Sequence, residues 1–336
     1  MKMLVYEGPE RIVLANAAMP AVAGDELLIR VRSVGICGSE LEGYLGHSSV
    51  RVPPLVMGHE FCGEVAEIGA DLDAGDWRLG DRVVVNPLIG CGRCRNCLSG
   101  RSNICSSRAI VGIHRPGAFA EYVAVPASGV TRVPNEMDAD LASLAEPLAV
   151  AVHSVKLGLA PLEDIVIIGA GPIGLLTLQA AKLTGCRRAV VIERQPGRLQ
   201  AAERLGAIAA TPEEAHAVVA GLAGGEGVET VIDCVGNGAT RRLAMELAAA
   251  GGTIVMVGLG QGETAMPMND LVRREIRLLG SYTYTVRDFA QAVALLVEGQ
   301  IGMSGWTEGL ALEDGPDAFA TLARGTAPVS KYILHP

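Results

Sequence analysis

The stretch Ile165-Val166-Ile167-Ile168-Gly169-Ala170-Gly171-Pro172-Ile173-Gly174 constrains the fold more than any other part of the chain. Four consecutive apolar residues predict a strand buried on both faces, as in a parallel sheet. The G-x-G-x-x-G that follows opens a predicted helix. In such a strand–turn–helix the glycines allow the tight turn, close backbone approach to a pyrophosphate, and helix-on-strand packing, while the helix N-terminus supplies free N–H groups. The next apolar run, Ala189 to Ile192, ends in Glu193, nineteen residues after Gly174, where an acid can accept from ribose hydroxyls. Together these features predict a bound dinucleotide. The acid favours NAD, because it repels the extra phosphate of NADP. Arg194 pulls the other way, since a guanidinium there could pair with a 2′-phosphate or cover the adenine. Arg198, in the same segment, is grouped with the cofactor residues.

Further apolar runs, Val228 to Ile232, Thr253 to Val257 and Ile276 to Leu279, alternate with helical stretches and predict a parallel sheet covered on both faces. Upstream the rhythm is different. Leu27 to Val34, Phe61 to Ile68, Arg82 to Val85 and Phe119 to Val125 read as short strands punctuated by Gly and Pro, which predicts a partly closed, barrel-like all-β unit in the first ~135 residues. An Ala-rich helical pattern spans Asp138 to Leu159, and Pro161 to Asp164 marks a seam. A length of 336 residues fits two domains. With 49% apolar but only 4% aromatic residues, their cores must be built from Val, Ile, Leu and Ala.

The formal charge of −9 comes without a long like-charge run, so neither nucleic acid nor an anionic membrane finds an electrostatic footprint. A small soluble substrate is the expected partner. The most apolar segment, Ile165 to Ala181, is broken by glycine and proline and is shorter than the ~20 residues a membrane span needs. Lys2 and Glu7 interrupt any secretory h-region. A cytoplasmic protein is expected.

Half of the eight cysteines fall in one loop, Cys91, Cys94, Cys97 and Cys105, with the spacing C-x2-C-x2-C-x7-C. An iron–sulfur run would close as x3-C-P, and a DNA-reading zinc finger would need two separated ligand pairs and a basic helix. A closed, all-cysteine structural zinc site remains, with reduced unliganded thiols as the plain alternative.

Val34-Gly35-Ile36-Cys37-Gly38-Ser39-Glu40, Gly58-His59-Glu60-Phe61-Cys62-Gly63, the cysteine loop, Ala145-Glu146-Pro147-Leu148 and GAGPIG follow one another in this order. Over nearly the whole chain this resembles the zinc-dependent medium-chain dehydrogenase superfamily, most of all its polyol dehydrogenase branch. The resemblance implies an α/β protein: a GroES-like, β-rich catalytic domain over residues 1–145, completed by 291–336, and a Rossmann doubly wound parallel-sheet domain over 146–290. It implies two zinc ions per chain, NAD, and a homo-oligomer, dimer or tetramer.

For the catalytic zinc the resemblance implies Cys37 and His59 as ligands, with the third ligand open between Glu60 and Glu146; alcohol dehydrogenases have a cysteine where this chain has Glu146. Ser39 matches the hydroxyl that relays the substrate proton. Two departures stand out. Common relatives have Asp at Glu40, and many have His where Glu42 or Gly43 stands, which leaves the proton's route beyond Ser39 open. Thr283 and Tyr284 fall where relatives place polar substrate contacts, although some relatives have Arg at Thr283. Arg51 is the one candidate for holding a substrate phosphate. The expected activity is hydride transfer from a secondary alcohol of a polyol, sugar alcohol or related hydroxy compound to NAD. Threonine or butanediol oxidation is the neighbouring alternative, and a non-catalytic dinucleotide-binding protein is the alternative from another class.

Overall fold

The five apolar runs from Ile165 onward all become strands of one parallel sheet, joined by a sixth, Ile208–Ala210, that the sequence reading did not single out. Across the sheet the strands run Ile208–Ala210, Arg188–Ile192, Asp164–Ile168, Val228–Asp233, Ala248–Met256 and Arg277–Gly280. In chain order this is 3-2-1-4-5-6, the Rossmann arrangement, whose ligand crevice opens beyond the carboxyl ends of the first and fourth strands. Asp164–Ile168 is buried at every position, as its unbroken apolar run requires. Asp164, at its first residue, accepts from Arg187 and Arg188 and so ties the strand to its neighbour.

This computed structural model describes residues 1–336 except Ala74. The chain divides into two compact units, Met1–Glu146 with Thr285–Pro336, and Pro147–Tyr284. The first unit is built on a seven-stranded sheet. Its path runs Thr307–Ala311, Lys331–His335, Glu26–Gly35, Glu60–Ile68, Arg82–Val85 and Val130–Arg132, with Tyr122–Pro126 also paired to Glu26–Gly35. The central strand Glu26–Gly35 is antiparallel to each partner, and Val34 stands opposite both Phe61 and Leu334. One core cluster gathers Leu27, Ile29, Val31, Phe61, Phe119 and Phe319 from distant parts of the sequence.

The Ala-rich stretch read as one helix is two, Ala139–Ser143 and Ala145–Gly158. Pro147 is the reason. It has no N–H to offer the Ser143 carbonyl and its ring would strike that oxygen, so it is tolerated only in the first turn of a new helix. This break puts Glu146 in a first turn, where a carboxylate is favoured by the helix dipole. Among the described residues, no helix is long and apolar enough to cross a membrane.

Candidate active site

Three donor groups converge where the central strand of the first unit ends. Cys37 follows strand Glu26–Gly35 and is the N-cap of helix Gly38–Tyr44; His59 and Glu60 stand at the start of the antiparallel neighbour Glu60–Ile68. The pairing of Gly35 with Glu60 brings these two strand ends together. One ligand atom each from Cys37, His59 and Glu60 lies within 4.8 Å of the others. Glu146 is also buried, but it is not part of that set.

The surrounding residues fix these donors. Glu40 is fully buried, and its carboxylate lies 2.7 Å from Nδ1 of His59 while accepting from the backbone N–H of Gly58 (2.8 Å) and of Cys37 (3.0 Å). A carboxylate only accepts here, so Nδ1 carries the proton and Nε2 is left free to ligate. Burial opposes charge on His59, yet Glu40 and the Cys37 sulfur outweigh it and hold the imidazole well above its ordinary value. Burial likewise opposes the Glu40 carboxylate, and His59 and Arg51 outweigh it and hold that group low. Glu40, seen in the sequence only as a departure, is therefore the partner that orients the histidine. Lys331, from strand Lys331–His335, forms a buried ion pair with Glu60 and donates to the Ile36 carbonyl at 3.3 Å. Burial opposes its charge too, but Glu60 and Cys37 keep it protonated.

Ser39 has its hydroxyl 3.3 Å from the Cys37 sulfur and accepts from Nη2 of Arg51 at 2.9 Å. Glu42 and His47 pair with each other at 3.1 Å on the exposed surface. Lys331 is a residue that sequence reasoning does not single out, and Arg51 is named there only as a candidate for a substrate phosphate, not as a partner of Ser39. Arg51 sits in a Pro-flanked loop and Lys331 opens a strand in the last part of the chain, and nothing local marks either as buried.

A thiolate, an imidazole and a carboxylate suit zinc with an open position. The second set suits a closed site. Cys91, Cys94, Cys97 and Cys105 have sulfurs within 4.8 Å of one another, and Cys91 and Cys97 are 4.0 Å apart, close to the ~3.8 Å edge of a tetrahedron with zinc–sulfur bonds of about 2.3 Å. The backbone N–H groups of Arg93 and Cys94 draw the Cys91 thiol down to about 6. Cys94 caps the short helix Arg95–Leu98, and Asn96 donates to the Ile104 carbonyl at 2.9 Å, which closes the lobe. None of the eight cysteines is in a disulfide.

In the second unit the helix Pro172–Thr184 starts at Gly171 with Pro172 in its first turn, followed by Ile173 and Gly174. Gly169 has a φ of 98°, and a Cβ on Gly174 would strike the Gly169 carbonyl, so both positions demand glycine. Around Gly171 a Cβ would meet nothing, which leaves open space at the backbone. Glu193 accepts from Ala170 N–H (3.0 Å), Arg194 N–H (2.7 Å) and Gln195 N–H (3.0 Å), which fixes its carboxylate beside the glycine turn. A cavity of about 550 Å³ here is lined by Gly169, Glu193, Arg194, Arg198, Asn237 and Arg242. Tyr284 is fully buried. Thr283 has a φ of 48°, a strained value for a β-branched residue, and its buried hydroxyl has no hydrogen-bond partner among the described residues.

Known proteins resemble this chain over its length. Residues 23–135 match the alcohol dehydrogenase GroES-like domain and residues 172–298 match the zinc-binding dehydrogenase family. The chain is 34% identical to L-galactonate-5-dehydrogenase of Escherichia coli K12, over 90% of this chain and 88% of that one. It is 32% identical to L-threonine 3-dehydrogenase of Chelativorans sp. BNC1, over 97% of each. A protein of Sinorhizobium meliloti 1021, assigned as a zinc-binding dehydrogenase and solved bound to NADP, superposes with a TM-score of 0.90 at 35% identity, covering 100% of this chain and 99% of that one. With the ordered ligand motifs, the Rossmann sheet and these matches in hand, the chain belongs to the zinc-dependent medium-chain dehydrogenase superfamily, in its polyol dehydrogenase branch.

Proposed function

We propose that this protein oxidises a secondary hydroxyl of a polyol, a sugar acid or a related hydroxy compound, with NAD as the acceptor. The observation that carries the reading is the buried set Cys37, His59 and Glu60, with Ser39 at the Cys37 sulfur. A non-catalytic dinucleotide-binding protein has no use for such a set, because an oriented imidazole and a buried carboxylate both cost stability. Cys37, His59 and either Glu60 or Glu146 would hold the catalytic zinc, and Cys91, Cys94, Cys97 and Cys105 a second, structural one. When bound, zinc supplies Lewis acidity toward the substrate oxygen and the nicotinamide supplies the hydride acceptor.

The chain's own residues do the rest. Glu40 keeps His59 in the tautomer that presents Nε2. Ser39 hands on the proton that the alcohol loses. Thr283 brings an unpaired hydroxyl suited to a neighbouring substrate oxygen, and Tyr284 is proposed beside it. Galactonate oxidised at position 5 and threonine at position 3 are both secondary alcohols on polar acids, which supports a hydrophilic substrate. So does the scarcity of aromatics, with four Phe and two Trp in the chain.

NAD is the preferred cofactor in this reading, because a carboxylate at Glu193 would repel a 2′-phosphate bound beside it. NADP is the second reading, favoured by Arg194, Arg198 and Arg242 in the same cavity and by the NADP-bound relative. Reduced, metal-binding cysteines suit the cytoplasm, and a dimer or tetramer completes the proposal.

The test is a panel assay. Purified zinc-loaded protein is given NAD or NADP with a secondary polyol, an aldonate, threonine, a simple primary alcohol and a sugar-alcohol phosphate. The expected result is the highest kcat/KM for the polyol or aldonate with NAD. Preference for the primary alcohol would overturn the substrate class, and preference for threonine would move the protein to the neighbouring branch.

A further inference from the structure

Arg51 is a buried cation with an unusual set of neighbours. Only 6% of the residue is exposed, yet among the described residues its one side-chain hydrogen bond is to Ser39, its Nε has no partner, and no carboxylate lies within ion-pair distance of its guanidinium. Buried arginines are rare unless paired, since an uncompensated charge is costly away from water. The nearest compensation is the field of Glu40, whose carboxylate is already engaged by His59, Gly58 and Cys37.

Room for the side chain comes from Gly43. A Cβ there would collide with Cδ of Arg51, and Gly43 has no left-handed φ, so its missing side chain provides space rather than backbone freedom. The hydrogen-bond chemistry then has one solution. A guanidinium carries five donors and no acceptor, so Arg51 can only occupy a lone pair of Ser39 Oγ. The hydroxyl hydrogen must point elsewhere, and Cys37 Sγ at 3.3 Å is the acceptor it meets.

Resting on the dehydrogenase reading above, we propose that Arg51 is a positioning residue that aims the Ser39 hydroxyl at the reacting oxygen and favours negative charge there. A fixed positive charge behind the hydroxyl strengthens it as a donor, and in a water-poor site such oriented groups count for more than in solvent. Arg51 cannot itself take the proton onward. Its contribution is direction and field.

The experiment compares wild type with Arg51→Met, Arg51→Lys, Arg51→Ala and Gly43→Ala. Zinc content and urea unfolding are measured for each. Arg51→Met is expected to keep both zinc ions and to lose about 10²-fold in kcat, with KM for NAD unchanged. Arg51→Lys should regain part of the loss, and millimolar guanidinium should raise the activity of Arg51→Ala. Gly43→Ala, which displaces the side chain but keeps its charge, should lose less than Arg51→Met.

A second readout needs no turnover. With NAD present, calorimetry compares a short carboxylate anion with its neutral amide, and the wild-type preference for the anion should fall about tenfold in Arg51→Met. Unchanged kcat and unchanged anion preference in that variant would overturn the proposal. So would a loss of zinc in Arg51→Met with no rescue by lysine or guanidinium, which is the behaviour of a structural clamp. Absence of any zinc-dependent alcohol oxidation in wild type would sink the functional reading instead, and the anion preference would still decide the role of Arg51.

Discussion

Lys331 and Glu60, 271 residues apart in sequence, share one ion pair with side chains only 1% and 2% exposed. Gly35 makes the space, because a Cβ there would lie 2.8 Å from the Glu60 carboxylate and 2.5 Å from the lysine stem. Removing one partner leaves the other charge buried and alone. Lys331→Met is therefore expected to lower stability by about 3–5 kcal/mol, while Lys331→Met with Glu60→Gln recovers most of that. Urea unfolding after any zinc at Cys37 and His59 has been stripped provides the check, since a metal on Glu60 would stand in for the lysine, and equal stability of the single and double variants would show that the pair is not coupled.

Glu40 does not belong to the donor set, but it determines how His59 presents itself. Glu40→Ala removes the acceptor for Nδ1 and for two backbone N–H groups. A fall in affinity of about 10- to 100-fold for the zinc at Cys37 and His59 is expected, with the four-cysteine zinc unaffected. Chelator competition followed by elemental analysis separates the two ions.

Cys94 both faces the other three sulfurs and caps the helix Arg95–Leu98. Cys94→Ser should cost one zinc per chain and lower Tm, because metal ligation contributes folding free energy. Two zinc ions remaining, with Tm unchanged, would refute the structural site.

Asp164 gives a pH test in the nucleotide unit. Burial pushes its carboxyl up, but Arg188 and Arg187 outweigh it and bring it from 3.8 down to about 2. A carboxyl lowered on folding contributes stability that is present above its unfolded pKa and lost as pH falls through the folded one. At neutral pH the contribution is about 2 kcal/mol. Asp164→Asn should be less stable than wild type by this amount down to about pH 4, with the gap closing between pH 4 and pH 2. A gap independent of pH would assign the effect to packing or hydrogen bonding instead.

Much of this was legible in the residues, and the illegible part has a common cause. Strands such as Asp164–Ile168 declare themselves because burial on both faces demands an unbroken apolar run. Cys37, His59 and the four clustered thiols stood out by residue type and local spacing, and their side chains do converge in two groups. Lys331 and the role of Glu40 were hidden because each depends on a partner brought near by the register of Glu26–Gly35 with Glu60–Ile68 and Lys331–His335, and Arg51 could be named as a cation but not placed on Ser39. The break before Pro147 was misread because alanine periodicity outvoted one proline.

The sheet of the first unit is interrupted in sequence by the whole of the second, since Pro147–Tyr284 is synthesised before Thr307–Ala311 and Lys331–His335 can join Glu26–Gly35. At ordinary translation speeds those intervening residues take on the order of 10–30 s. Through that interval the nascent chain carries an open sheet edge at Val34–Gly35, beyond the part of the central strand that Tyr122–Pro126 covers, and a Glu60 with no lysine to meet it. The second unit is one continuous stretch, whereas the first is complete only once Lys331–His335 has been made. Newborn chains are therefore most exposed to aggregation, and to loading with the wrong metal, before the final strand arrives.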